Sequence, residues 1–395
     1  EDIQISQAYA RHRGVSIYGN NIYWGTADSH LVALDARTGI QMWEVSTGDY
    51  QTGQGHSHPP LIADGKVILG FNGGDRRARG AISAHDAETG GLIWKTYTVP
   101  APGEPGSESW ADSALPPLGG GTWHTVTYDP ELGLIYVGTG QPVPWASTLR
   151  GRGDALYTNS ILALDIDTGE MKWHFQVVPE DNWDMDTPYE SMLVDLVIGG
   201  ESRRALIHTS KTGWGVVLDR VTGEFIQAFR TAYDNLITEW TDEGRPIFNP
   251  ELIPAPEDVD SDRVFEVCPH YHGARNVQSP SYSPITDWYY LGINNSCMDV
   301  VFGSEEYEPG ERYVGMRGTP KLVPGYDYVG EFVAFDPAAG ERVWEYRSPS
   351  GAAMTASALV TAGGVVFGGT ANREFFALDG DTGEVLWETR LNGDI

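Results

Sequence analysis

The chain has 395 residues, too long for one ordinary small domain but within the size of one large all-β unit. Lys and Arg total 26 against 55 Asp and Glu, a formal charge of −29, which excludes nucleic acid and anionic membranes as partners held by the general field. There is no apolar run of about 18 residues, so no membrane span is predicted, and Glu1-Asp2-Ile3-Gln4 does not read as a signal peptide.

Glycine (48), tryptophan (13) and tyrosine (19) are abundant, and no long stretch repeats apolar residues at helical spacing. Turn-forming glycines between aromatic-rich segments predict many short strands. One pattern recurs in chain order, Ala-x-Asp-x-x-Thr-Gly-x-x-x-Trp. Its copies are Ala33, Asp35, Thr38, Gly39, Trp43, then Ala84, Asp86, Thr89, Gly90, Trp94, then Ala163, Asp165, Thr168, Gly169, Trp173. A weaker copy has Val217, Asp219, Thr222, Gly223 and Gln227 in the tryptophan slot. Two more follow, Ala334, Asp336, Ala339, Gly340, Trp344 and Ala377, Asp379, Thr382, Gly383, Trp387.

The aspartate can accept backbone N–H bonds in the turn, and the glycine supplies positive φ. A large ring at one place per repeat can wedge between neighbouring sheets. The fold class is therefore all-β, a β-propeller, read as one domain over residues 1–395. The long gaps between Asp86 and Asp165 and between Asp219 and Asp336 are expected to hide degenerate blades plus excursions, the blades starting at Thr127-Tyr128-Asp129 and Ser281-Tyr282-Ser283. Residues 231–267 are charged and proline-bearing, and read as a long loop.

The stretch with most chemistry is Pro179-Glu180-Asp181-Asn182-Trp183-Asp184-Met185-Asp186. Pro179 ends a strand predicted from Met171 to Val178, which places these carboxylates on a loop. If the segment stays extended, Asp184 and Asp186 point the same way, and their mutual repulsion calls for water, a basic partner or a cation. A solvated acidic turn is the plain alternative. His56 and His58 read as packing residues, and His270 and His272 beside Cys268 are too few for a zinc set. Two cysteines, Cys268 and Cys297, permit one disulfide.

The repeat, together with runs such as Tyr157-Thr158-Asn159-Ser160-Ile161 and Gly292-Ile293-Asn294-Asn295-Ser296-Cys297-Met298-Asp299, resembles the quinoprotein alcohol dehydrogenases. These methanol dehydrogenase-like enzymes use pyrroloquinoline quinone (PQQ) on an eight-bladed propeller. The resemblance makes Asp184 the catalytic base and a metal neighbour. It makes Asp186 the extra carboxylate of lanthanide-type members. Asp75 falls in the place of a glutamate metal ligand and Gln141 in that of an asparagine ligand. Oxygen ligands suit Ca²⁺ or a lanthanide(III) ion.

Trp123 matches the tryptophan that stacks on the quinone, and Lys211 the basic residue at its carbonyl. Arg13, Ser57, Asn72, Gly73, Gly74 and Asn276 match further cofactor contacts. Gln7 and Ala8 stand where the family often has an adjacent cysteine pair. The resemblance makes Cys268 and Cys297 a structural disulfide and points to the periplasm. Relative to the family the chain starts late and ends early, so it is expected to lack the N- and C-terminal segments.

The implied function is oxidation of a primary alcohol to an aldehyde, with electrons passed to a c-type cytochrome; a homodimer is compatible with it. The alternative is a non-catalytic propeller of the same repeat, acting as a binding scaffold.

Overall fold

The computed structural model describes residues 12–110, 116–308 and 311–393. Strands dominate it, and six four-stranded antiparallel sheets carry the fold, each a meander of the propeller-blade type. They occupy residues 16–46, 61–97, 127–176, 192–230, 281–346 and 359–390. The chain divides into two compact units. The first runs to Glu190 and takes in Pro254–Asp262 and Phe302–Met316; the second holds Ser191–Ile253, Arg263–Val301 and the chain from Arg317 onward. Each unit contains three of the blades. Among the described residues no helix is long and apolar enough to cross a membrane.

The sequence repeat is the turn between the third and fourth strands of every blade. In the first copy Asp35 Oδ1 accepts the N–H groups of Arg37 and Thr38 at 3.1 and 2.8 Å and the Thr38 hydroxyl at 2.7 Å. Asp86, Asp165, Asp219 and Asp379 do the same. Across the strands the repeat's alanine lies opposite its tryptophan: Ala33 on Trp43, Ala84 on Trp94, Ala163 on Trp173, Ala334 on Trp344 and Ala377 on Trp387. A bulge follows the alanine in each case, as it does after Val217 in the fourth copy. The small residue leaves room for the ring, and the bulge turns the outer strand with added twist.

The ring then meets the turn of the next blade in its own unit. A Cβ on Gly90 would stand 2.7 Å from Trp43, one on Gly169 2.6 Å from Trp94, and one on Gly383 2.8 Å from Trp344. All three glycines have positive φ, so backbone and neighbour both require glycine. Trp94 and Trp344 also donate their indole N–H to Ile166 and Gly380 carbonyls of the following blade. Gln227, in the tryptophan slot of the fourth copy, donates to Pro337 and Ala338 in the same way.

Packing between blades explains why their strands read as apolar runs. Val67 and Leu69 pack on Tyr23, Leu31 and Ala33 of the first blade. Ile68, between them, faces Ile135, Val137 and Leu162 of the third. Alternate side chains thus serve two cores. In the second unit Leu196, Ile207 and Val217 pack on Leu291 and Val333, and Tyr290 and Phe332 on Val366 and Phe376.

The expected degenerate blades are not separate blades. Thr127–Asp129 and Leu134–Gly138 are the first two strands of the blade whose third strand ends at Asp165. Ser281–Ser283 and Trp288–Asn294 are likewise the first two of the blade ending at Asp336. The long gaps come from the expected excursions alone, between and within blades. The proline-bearing excursion contains a small hairpin, Ile237–Trp240 with Pro246–Phe248. Cys268 and Cys297 form a fully buried disulfide within the second unit.

Candidate functional site

The strand Met171–Gln176 ends two residues earlier than expected, and the acidic loop follows it. The loop is buried, so it is no solvated turn. Asp181 is its internal staple: its carboxylate accepts the N–H groups of Trp183 and Met185 at 2.8 and 2.9 Å and the Asn159 side-chain amide at 2.9 Å. Burial pushes this carboxyl's pKa up, against the pull of those donors. The Arg150 side chain, 3 % exposed, donates to the Asp181 and Pro144 carbonyls at 2.7 and 3.0 Å and to that of Trp145. Asn182 accepts the Ser147 N–H at 2.7 Å.

These ties hold Trp183, Asp184 and Asp186 at 1, 7 and 4 % exposure. Asp184 has φ of 65°, in the left-handed region. The segment is therefore not extended, and two-residue spacing does not put Asp184 and Asp186 on one face. Such a conformation on a non-glycine residue stores strain of order 1 kcal/mol that the surrounding bonds must hold.

Asp186 Oδ1 accepts the Gln141 N–H at 3.0 Å, and the Gln141 side-chain amide donates to Asp75 Oδ1 at 2.6 Å. Three of the four expected metal ligands are thus joined in one chain of contacts. Gly140 makes this approach feasible, since a Cβ there would stand 2.6 Å from Asp186 Oδ1 and 3.5 Å from Trp123 Nε1.

Arg13, Ser57 and Trp123 form a second group. Arg13 Nη1 donates to the Ser57 carbonyl and hydroxyl, both at 3.2 Å, and to the Trp123 carbonyl at 3.3 Å. Its guanidinium lies 5.3 Å from the centre of the Trp123 ring, a cation–π distance. Tyr189 meets that ring edge-on at 5.4 Å. Asn72-Gly73-Gly74 runs alongside: a Cβ on Gly121 would lie 3.4 Å from the Phe71 carbonyl and 3.7 Å from the Gly74 nitrogen. Gly73 has φ of 100°, and any side chain there would strike the Gly53 carbonyl.

The neighbouring histidines are framework. His56 sets Nδ1 2.7 Å from the Gly70 carbonyl and Nε2 2.7 Å from the Thr47 hydroxyl. His58 Nε2 accepts the Gly70 N–H at 3.3 Å.

Lys211 and Asn276 belong to the second unit. Lys211 is 4 % exposed, and its carbonyl accepts the Ala274 N–H at 2.8 Å. Asn276 donates its side-chain amide to the His272 carbonyl at 2.9 Å. His270 is pulled down to about 4 by burial and by the nearby His272 and Lys211 charges. Gln7 and Ala8 lie outside the described residues.

Asn72 is 3 % exposed, and among the described residues neither amide atom has a hydrogen-bond partner. Leaving such a group unpaired costs about 1–3 kcal/mol, so a polar ligand is its natural partner. With the glycine-lined approach and the Trp123 face, the residues fit a flat polar group such as PQQ. The cation fits less well. Among the described residues no three His, Cys, Asp or Glu side chains are grouped to hold a metal ion. Asp75, meanwhile, is engaged by protein donors, the indole N–H of Trp145 at 3.1 Å and Arg312 at 3.4 Å besides Gln141. Cys268, the thiol beside His270 and His272, is taken up in the disulfide with Cys297. Asp181 stood out only as one of the loop's carboxylates, and Arg150, Trp145 and Arg312 carried no sequence signal as site residues, because their roles arise from contacts made across the fold.

Comparison with known proteins agrees with the fold and places the chain. The family model for the PQQ β-propeller domain of glucose, ethanol and alcohol dehydrogenases matches residues 6–270. A model for the outer membrane protein assembly factor BamB matches residues 329–395. The chain is 33 % identical over 422 residues to a lanthanide-dependent methanol dehydrogenase of Methylacidiphilum fumariolicum, covering 100 % of this chain and 68 % of that protein. It is 36 % identical over 404 residues to a quinohemoprotein alcohol dehydrogenase of Comamonas testosteroni, covering 95 % of this chain and 56 % of that one. Among solved structures, a europium-containing methanol dehydrogenase superposes with a TM-score of 0.91 at 32 % identity, over 99 % of this chain and 71 % of that one. The BamB of Moraxella catarrhalis, at 18 % identity and a TM-score of 0.51, shares the fold alone. The chain belongs to the PQQ β-propeller family of the glucose, ethanol and alcohol dehydrogenases.

Proposed function

We propose that this chain is the propeller of a PQQ-dependent dehydrogenase that oxidises a primary alcohol to an aldehyde. Bound PQQ supplies the two-electron acceptor. Trp123 gives its ring a stacking platform, held from below by Tyr189 and from its own carbonyl by Arg13 and Ser57. Asn72 supplies a buried donor and acceptor to its polar edge. Asp184 takes the hydroxyl proton of the alcohol; at 7 % exposure its carboxylate meets little competing water. Lys211 and Asn276 are cofactor contacts on the sequence resemblance alone. Asp75 is engaged by protein donors, and Asp184 and Asp186 are the remaining carboxylates that would hold a cation polarising the quinone.

The observation that carries this reading is the unpaired, buried Asn72 amide at a position the resemblance gives to the cofactor. A periplasmic location and a c-type cytochrome acceptor belong to the same proposal; the buried disulfide suits an oxidising compartment. Assembly as a homodimer is part of it too.

Two measurements test it. Titration of the protein with PQQ plus Ca²⁺ or La³⁺, followed by quinone absorbance and dye-linked alcohol oxidation, is expected to show quinone uptake and turnover. Asp184→Asn is expected to retain quinone uptake and lose turnover by at least about 10²-fold, the scale of a lost general base. Full activity in that variant removes the base assignment. No quinone uptake with either ion supports the second reading, a scaffold propeller, which the BamB-type match over residues 329–395 favours.

A further inference from the structure

The carboxylate that the resemblance gives to the cation is engaged by an arginine from a distant stretch of chain. Arg312 Nε stands 3.4 Å from Asp75 Oδ2, and its guanidinium lies 4.9 Å from the centre of the Trp145 ring, whose N–H donates to Asp75 Oδ1. The backbone brings it there. Tyr313 donates its N–H to the Asp75 carbonyl at 2.9 Å, and the Val314 carbonyl accepts the Ala146 N–H at 3.1 Å. Glu305 accepts the N–H groups of Val314 and Gly315 at 2.8 and 2.7 Å, and Arg77 stacks on Tyr307 at 4.1 Å. Arg312 is therefore delivered to Asp75 by a strap with several independent ties. The lengths of the ligand pair agree: the short acid, Asp75, and the long amide, Gln141, meet each other at 2.6 Å.

We propose that Arg312 is an internal counter-ion that withholds Asp75 from the cation, so that metal affinity in this chain is set by Arg312. The inference rests on the reading of Asp184 and Asp186 as the cation's remaining carboxylates. Arg312 is about half exposed, at 54 % of its side chain. An ion pair that open is worth up to about 1 kcal/mol, so the guanidinium weakens binding without blocking it. A fixed positive charge opposes a trivalent ion more than a divalent one, and added salt screens the difference.

The test uses Tb³⁺ and Ca²⁺ on the purified chain without quinone. Tb³⁺ is read by tryptophan-sensitised luminescence and Ca²⁺ by calorimetry, with thermal melts reporting folding. Arg312→Gln is expected to bind Tb³⁺ about three- to fivefold more tightly than the parent, with a smaller gain for Ca²⁺ and a gain that shrinks in salt. Arg312→Lys keeps the charge and is expected to stay within about twofold of the parent. Equal Tb³⁺ affinity in the parent and Arg312→Gln, or an equal gain in Arg312→Lys, overturns the proposal. Asp186→Asn separates the two levels. If it binds Tb³⁺ as well as the parent, the reading of the cation site itself is wrong. If it loses binding while Arg312→Gln equals the parent, that reading stands and the counter-ion role alone fails. Absence of Tb³⁺ binding in every variant, Arg312→Gln included, overturns both.

Discussion

At the scale of single residues, the site depends on side chains that are missing as much as on those present. Gly140 has an ordinary backbone conformation, so alanine is allowed there by φ and forbidden by its neighbours. The added methyl would press on Asp186 Oδ1 at 2.6 Å and on the Gly121 carbonyl at 3.2 Å. Asp186 is also fastened to the Gln141 N–H, so it cannot retreat without losing that bond. Gly140→Ala is therefore expected to fold, with a melting temperature a few degrees lower, as for a destabilisation of about 1–2 kcal/mol. Quinone-dependent turnover is expected to fall at least about tenfold, since a displacement near 1 Å is costly in a positioned site. Steady-state kinetics with a melting curve on the same sample checks it; unchanged turnover would mean that Asp186 lies outside the working site.

At the scale of elements, the repeat was the most legible part of the sequence. Its aspartate, glycine and tryptophan act locally, through a turn of a few residues and a ring on the strand that follows, so one copy suffices to read them. What the copies could not convey is which strands complete each blade. Thr127-Tyr128-Asp129 is followed by Pro130 and Gly133 at turn spacing and so resembled a new blade. Leu134–Gly138 pairs with it on one side and with Ser160–Asp165 on the other, which makes it the start of an existing one. The acidic loop was similarly half legible. Its place after a strand followed from Pro179, but the positive φ of Asp184 is imposed by Asp181, Asn182 and Arg150, whose contacts reach 22 to 35 residues back along the chain. Arg312, which meets Asp75 through a remote excursion, had no local signal at all.

The same repeat position also differs in worth from blade to blade. Trp94 is 7 % exposed, bonded to Ile166 and packed on Gly169, whereas Trp387 is 49 % exposed. Trp94→Ala is expected to cost about 3–5 kcal/mol and Trp387→Ala less than about 1 kcal/mol. Denaturant midpoints of the two variants decide this, and equal losses would mean that the ring stabilises its own hairpin instead of the neighbouring blade.

At the scale of the whole molecule, two kinds of electrostatics compete on acidification. A formal charge of −29 repels itself, and protonating surface carboxylates relieves that repulsion as pH falls. Buried histidines act in the opposite sense. Burial pulls His56 down to about 3, and His58 is likewise pulled well below its ordinary value. The unfolded chain takes up the His56 proton near pH 6.5, whereas the folded chain resists until about 3. Unfolding therefore binds a proton across that interval. The contribution is complete above pH 6.5 and is lost as pH falls toward 3, on the order of 5 kcal/mol in all. Asp234, pushed up to about 6 by burial, runs the other way: its contribution is present below the ordinary carboxylate range and is lost as pH rises through 6. The raw stability curve therefore mixes opposite slopes, and only a difference between variants isolates one group. His56→Gln keeps an amide donor for the Gly70 carbonyl and removes the titration. Its urea-derived stability is expected to lie below the parent's at pH 7 and to converge on it as pH falls toward 4, because only the parent loses the histidine's contribution. Parallel curves from pH 7 to 4 would mean that His56 titrates alike in the folded and unfolded chain, and that the wall of the Ser57 loop is held by packing alone.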